Sequence, residues 1–101
     1  MINLIQQALN NVFEKITGDH GTFNLQEYKI VKAKKSTQGI ASILNINMAM
    51  LNEFEIAVSD FYKFNGDSQK SRISSFRLAL WLETICKNLQ IPFNIESVIY
   101  F

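Results

Sequence analysis

The stretch from Ile40 to Phe64 decides what this chain can fold into, because its apolar residues fit two different periods. At helical spacing, Ile40, Ile43, Leu44, Leu51, Phe54, Val58 and Phe61 would line one long helix. At period two, Leu44, Ile46, Met48 and Met50 alternate with Asn45, Asn47 and Ala49. Phe54, Ile56 and Val58 likewise alternate with Glu53, Glu55, Ala57 and Ser59. The alternating pattern is the tighter of the two. Two such runs about a polar interruption predict an antiparallel hairpin. Same-face parity then sets Met50 opposite Phe54 across a three-residue loop, Leu51-Asn52-Glu53, with Asn52 as its left-handed residue. Continued to Asp60, the register turns that carboxylate inward, so a bulge near Ser59-Asp60 is expected.

The flanking segments complete the reading. Residues 3–17 predict an amphipathic helix: Asn3 and Gln6 form a capping-box pattern, Ile5, Leu9, Val12, Phe13 and Ile16 share a face, and Gln6, Gln7, Asn10, Asn11, Glu14 and Lys15 fill the polar side. Gly18 closes it at the position that favours a left-handed residue. Residues 23–35 are contested. Asn24 with Glu27 would cap a helix, whereas Tyr28, Ile30 and Val31 favour a strand over about 26–35, which is the reading adopted. Asn65-Gly66-Asp67 marks a turn. A helix follows from Ser68 or Ser71 to Leu89, its main apolar face formed by Leu78, Trp81, Leu82, Ile85 and Leu89. Phe76, Ala79, Leu80 and Cys86 widen that stripe well beyond the usual arc. Pro92 ends the helix, and Ile95 to Phe101 reads as a last short strand. The expected fold is therefore α+β, in α-β-β-β-α-β order. One domain over residues 1–101 would carry an antiparallel sheet with two helices packed on one face. The first five elements, α-β-β-β-α, resemble the order of a double-stranded-RNA-binding domain, but the second helix lacks the Lys-rich start of that module, and no family is identified.

Composition excludes several functions. With 48% hydrophobic and 12% aromatic residues the chain has ample core material, and its 19% charged residues are somewhat few for its size. The shortage suggests that some apolar surface faces a partner. A formal charge of +1 gives no electrostatic case for nucleic acid or an anionic membrane. No long apolar run and no basic leader are present, and the single cysteine cannot form an internal disulfide, so a cytoplasmic protein is expected.

Candidate chemistry is sparse. His20, beside Asp19 and between two glycines, has the pieces of an oriented general base, yet a polar turn explains it as well. Cys86 lies near a helix C-terminus, where the dipole disfavours a thiolate, so it reads as a core residue. One Cys and one His do not make a zinc site, and no cofactor or metal is expected. The Lys-Ser pair at Lys70-Ser71 lacks the glycines of a phosphate loop. The lysines at 29, 32, 34 and 35 are the best nucleic-acid candidate, but on a strand they divide between two faces. The leading expectation is thus a non-enzymatic protein-binding module, such as a bacterial or phage inhibitor, immunity or accessory protein. It would contact its partner through Glu53 and Glu55 at the hairpin tip and through Leu80 and Trp81. The alternatives are a homo-oligomeric assembly subunit, joined by an edge strand or the first helix, and nucleic-acid binding through Lys29, Lys32, Lys34 and Lys35.

Overall fold

The computed structural model describes residues 2–64 and 68–99. It is helical throughout: α1 (Ile2–Thr17), α2 (Leu25–Lys35), α3 (Thr37–Leu44), α4 (Met48–Lys63), α5 (Gln69–Asn88) and α6 (Glu96–Ile99). No strand occurs among the described residues, so the α+β fold, its antiparallel sheet and the likeness in element order to an RNA-binding domain are all overturned. The turn expected at 65–67 and the end of the expected last strand, Tyr100 and Phe101, lie outside the described residues. Ile95 precedes α6 and belongs to no strand.

In the decisive stretch the helical period wins. Leu51, Phe54, Ala57, Val58 and Phe61 are buried along one face of α4, whereas Met48 and Ile56, which the hairpin needed inside, are exposed. The face holds together because the partners that α4 packs against are helices, which accept a stripe rather than an alternating row. The run is not one helix either. Asn45 takes a left-handed conformation (φ 57°, ψ 47°) and ends α3. Its N–H donates to the Ser42 carbonyl at 3.1 Å, and the Ile46 N–H reaches the Ala41 carbonyl at 3.0 Å, the paired bonds of a Schellman close. Two residues on, Asn47 starts α4 by accepting the Met50 N–H at 2.8 Å. The chain therefore turns at Asn45 and not at the expected Leu51-Asn52-Glu53 loop, and the bulge near Asp60 vanishes with the hairpin.

The strand expected over 26–35 is α2. Asn24 caps it by accepting the Glu27 N–H at 2.9 Å, and Lys32, Lys34 and Lys35 fill its last turn, where cations favour the helix dipole. Those local terms outweigh the strand preference of Tyr28, Ile30 and Val31, which is a weak prior without a neighbouring strand to pair with. α2 and α3 meet at Ser36, whose φ of 73° and ψ of 160° are unusual for a residue with a side chain. Its Oγ nonetheless caps α3 by accepting the Gly39 N–H at 3.0 Å.

α5 is the central element, packed on α1 and α4 and capped at its far end by α6. Ser68 begins it, accepting the Ser71 N–H at 3.1 Å, and Gln90 (φ 59°) ends it with a second Schellman close onto Cys86 and Lys87. Leu78, Leu82, Ile85 and Cys86 of α5 meet Ile5 and Leu9 of α1, Ile40 and Leu44 of α3 and Leu51 of α4 in the deepest part of the core.

Candidate functional site

Two features rise above the background of a packed helical domain: a polar clamp between α2 and α4, and an apolar face on the outside of α5.

The clamp centres on Glu55. The Tyr28 hydroxyl donates to its Oε2 at 2.5 Å, and the Lys32 ammonium donates to its Oε1 at 2.9 Å. Tyr28 and Lys32 are four residues apart on α2, so one turn of helix presents both donors to the same carboxylate. Burial first, and then the bond to Glu55, push the Tyr28 phenol well above the usual tyrosine range. Beside the clamp lies a cleft of about 160 Å³ floored by Phe23, Leu25, Phe54 and Val58. That is smaller than the roughly 300 Å³ at which small-molecule pockets begin. Both Glu55 oxygens are already engaged, so the cluster works as a tie between helices. Phe23 itself is fixed by residues that the sequence reading assigned to the wet side of α1. Asn10 accepts the Phe23 N–H at 2.8 Å, Gln6 donates to the Phe23 carbonyl at 3.2 Å, and Gln6 in turn accepts the Tyr62 hydroxyl at 2.7 Å.

The apolar face comes from the helical period of α5. Its inward stripe is Ser71, Ser74, Leu78, Ala79, Leu82, Ile85 and Cys86. Ile73, Phe76 and Leu80 occur at i, i+3 and i+7 on the opposite side, and they are 51%, 46% and 44% exposed. α4 returns antiparallel along one flank, where Arg77 approaches Asp60 at 3.8 Å. One turn from that contact stand the exposed Ile56 on α4 and, in the matching direction, Leu80 and the half-buried Trp81 on α5.

The sequence candidates are thereby sorted. Leu80 and Trp81 lie at this face, Leu80 on its crest and Trp81 partly committed to the core. Glu53 is exposed two turns before Asp60, on the flank of α4 that faces α5. Glu55 projects from another flank toward α2, so no shared hairpin tip joins the two carboxylates. On α2 the four lysines wind around the helix. Lys32 is held by Glu55, and the exposed lysines divide, Lys29 beside the Glu55 cleft and Lys34 with Lys35 beside the loop that carries His20, so the four form no single row. His20 bonds Glu14 at 2.9 Å through Nδ1, not Asp19, and is open to solvent. Cys86 is fully enclosed, and burial raises its thiol to about 11, which leaves no thiolate near neutrality. No cluster of three potential metal ligands occurs among the described residues, and none of their helices is long and apolar enough to cross a membrane. Phe76 stands beside Leu80 in the widened stripe that the sequence shows; Ile73 is the partner it did not group with them, although the heptad spacing of 73 and 80 is visible.

No protein-family model, curated protein or solved structure matches this chain.

Proposed function

We propose that the chain is a non-enzymatic, cytoplasmic protein-binding module whose contact surface is the outer face of α5. The observation that carries this reading is the set of three large apolar side chains, Ile73, Phe76 and Leu80, half-exposed directly opposite the buried stripe of their own helix. Covering what remains exposed of them is worth about 3 kcal/mol, taking half of the usual gain for burying each such side chain. A contribution of that size is about two orders of magnitude in affinity. An apolar centre that holds an aromatic, edged by polar and charged residues, is the anatomy of an interface core. The binding role is favoured over a catalytic one by the state of the reactive groups: His20 is a solvated partner of Glu14, and Cys86 is a protonated core thiol. An inhibitor, immunity or accessory protein remains the biological setting that fits a small domain acting by contact.

The test is a tagged capture from native-host lysate, with nuclease, comparing the wild-type chain with Phe76→Glu. Phe76 lies outside the core, so the variant should keep its helical circular dichroism and melting temperature. It should lose the captured partner. Undiminished capture by a folded Phe76→Glu chain would remove α5 from the interface.

A further inference from the structure

We propose that the outer face of α5 closes on a second copy of the chain, in an antiparallel two-fold pairing of one α5 with the other. This rests on the reading of that face as an interface and names its occupant.

A two-fold interface must be complementary to itself: if residue i of one copy meets residue j of the other, then j meets i. The outer face of α5 meets that condition twice over. Ile73 and Leu80 lie two turns apart, and their midpoint falls between Phe76 and Arg77. An antiparallel partner centred there sets Ile73 over Leu80, Leu80 over Ile73, and the two Phe76 rings beside the axis. Arg72 and Glu83 are eleven residues apart, close to three full turns, so they line the same flank of the stripe. Their midpoint falls between Arg77 and Leu78, within a residue of the first. A two-fold axis perpendicular to the helices keeps each flank on its own side. The centre chosen by the apolar residues therefore also brings Arg72 of each copy to Glu83 of the other. Of the charges beside the stripe, Arg72 and Glu83 stand in the order that an antiparallel copy neutralises, while Lys87, two turns beyond Leu80, lies at the end of the stripe away from the axis.

The other flank is compatible. There the axis brings the two Arg77 side chains toward each other, but each is already approached by Asp60 of its own chain at 3.8 Å. Two ion pairs meet there instead of two bare guanidinium groups. A net charge of only +1 leaves little overall repulsion between copies.

Sedimentation equilibrium over a broad concentration range tests the pairing. The wild-type chain should form dimers, and Phe76→Glu should be monomeric. Arg72→Glu sets like charges against Glu83 at two symmetric places and should weaken the dimer about tenfold. The double variant Arg72→Glu/Glu83→Arg restores both pairs and should return the dimer to within about threefold of wild type. A wild-type chain that stays monomeric throughout overturns the second-copy proposal, as does a dimer indifferent to Phe76→Glu. So does a charge reversal that fails to rescue the Arg72→Glu loss. If the wild-type chain is monomeric but still captures a lysate protein that Phe76→Glu loses, the interface reading stands and only the second copy is refuted.

Discussion

Removing the Glu55 carboxylate should destabilise the fold far more than removing its neighbour Glu53. The two residues are two positions apart on α4, both acidic, and the sequence gives no reason to separate them. The structure does. In Glu55→Ala the Tyr28 hydroxyl, on a residue only 5% exposed, loses its acceptor. An orphaned buried hydroxyl costs about 2 kcal/mol. The Lys32 ammonium loses an ion pair whose side chains are 30% and 21% exposed. Solvent screening limits that contribution to about 1 kcal/mol. The sum, about 3 kcal/mol, should lower the melting temperature by about 15 °C in a domain of this length. Glu53→Ala touches no such partner and should stay within about 0.5 kcal/mol of wild type. The assay is thermal and urea unfolding followed by circular dichroism, completed by the cycle with Tyr28→Phe. Because the double variant has no orphaned hydroxyl, its loss should fall about 2 kcal/mol short of the sum of the single losses. Strict additivity, or a Glu55→Ala loss no larger than that of Glu53→Ala, would show that the α2–α4 clamp contributes nothing to the fold.

Two further outcomes follow from backbone conformation and from titration. Ser36→Gly relieves a backbone held at φ 73° and ψ 160°, at the expense of the cap on α3 and of added freedom in the unfolded chain. Relief is the larger effect, so the variant should gain about 1 kcal/mol in urea unfolding, and a loss would show that the Gly39 cap dominates. Cys86 ionises near 9 when exposed and at about 11 in the fold, so its contribution is complete below pH 9 and disappears as pH rises toward 11. Across that window it should remove about 2–3 kcal/mol. The Cys86→Ala chain, less stable at neutral pH because of the cavity, should lose stability less steeply between those limits. Equal slopes would place the thiol in contact with water.

How much of this was legible in the sequence depends on the range of the interactions that decide each element. α1 and α5 are specified by a long apolar stripe and by residues at their own ends, Gly18 and Ser68, and both were readable. α2 is specified locally as well, by Asn24 and Glu27, against the strand preference of Tyr28, Ile30 and Val31. A strand needs a partner to bond its backbone, whereas a capped helix carries its own bonds. The break between α3 and α4 was written in Asn45 and Asn47. The alternating pattern places the left-handed turn at Asn52, but Asn45 supplies it. The Glu55 clamp joins residues 27 and 23 positions apart, and no local pattern announces such a contact. The same holds for Gln6 and Asn10. Their place on the polar side of α1 looked solvated, but the loop ending at Phe23 folds back over them.

The surface of α5 is different, because there the excess itself was the signal. A helix that packs on one side needs an apolar arc of little more than a quarter of its circumference. Phe76 and Leu80 exceed that arc, and the sequence reading recorded the width of the stripe without dividing it. The structure divides it into two faces, one spent on the core and one opposite it. The core face is satisfied within the chain by α1, α3 and α4. The second cannot be satisfied from within, since any rotation of α5 that buried Ile73, Phe76 and Leu80 would expose Leu78, Leu82 and Ile85. Selection for folding alone has no use for that second face, because a polar residue at each of the three positions would leave the core intact. Those three large apolar side chains are the feature on which the proposed contact with another polypeptide rests.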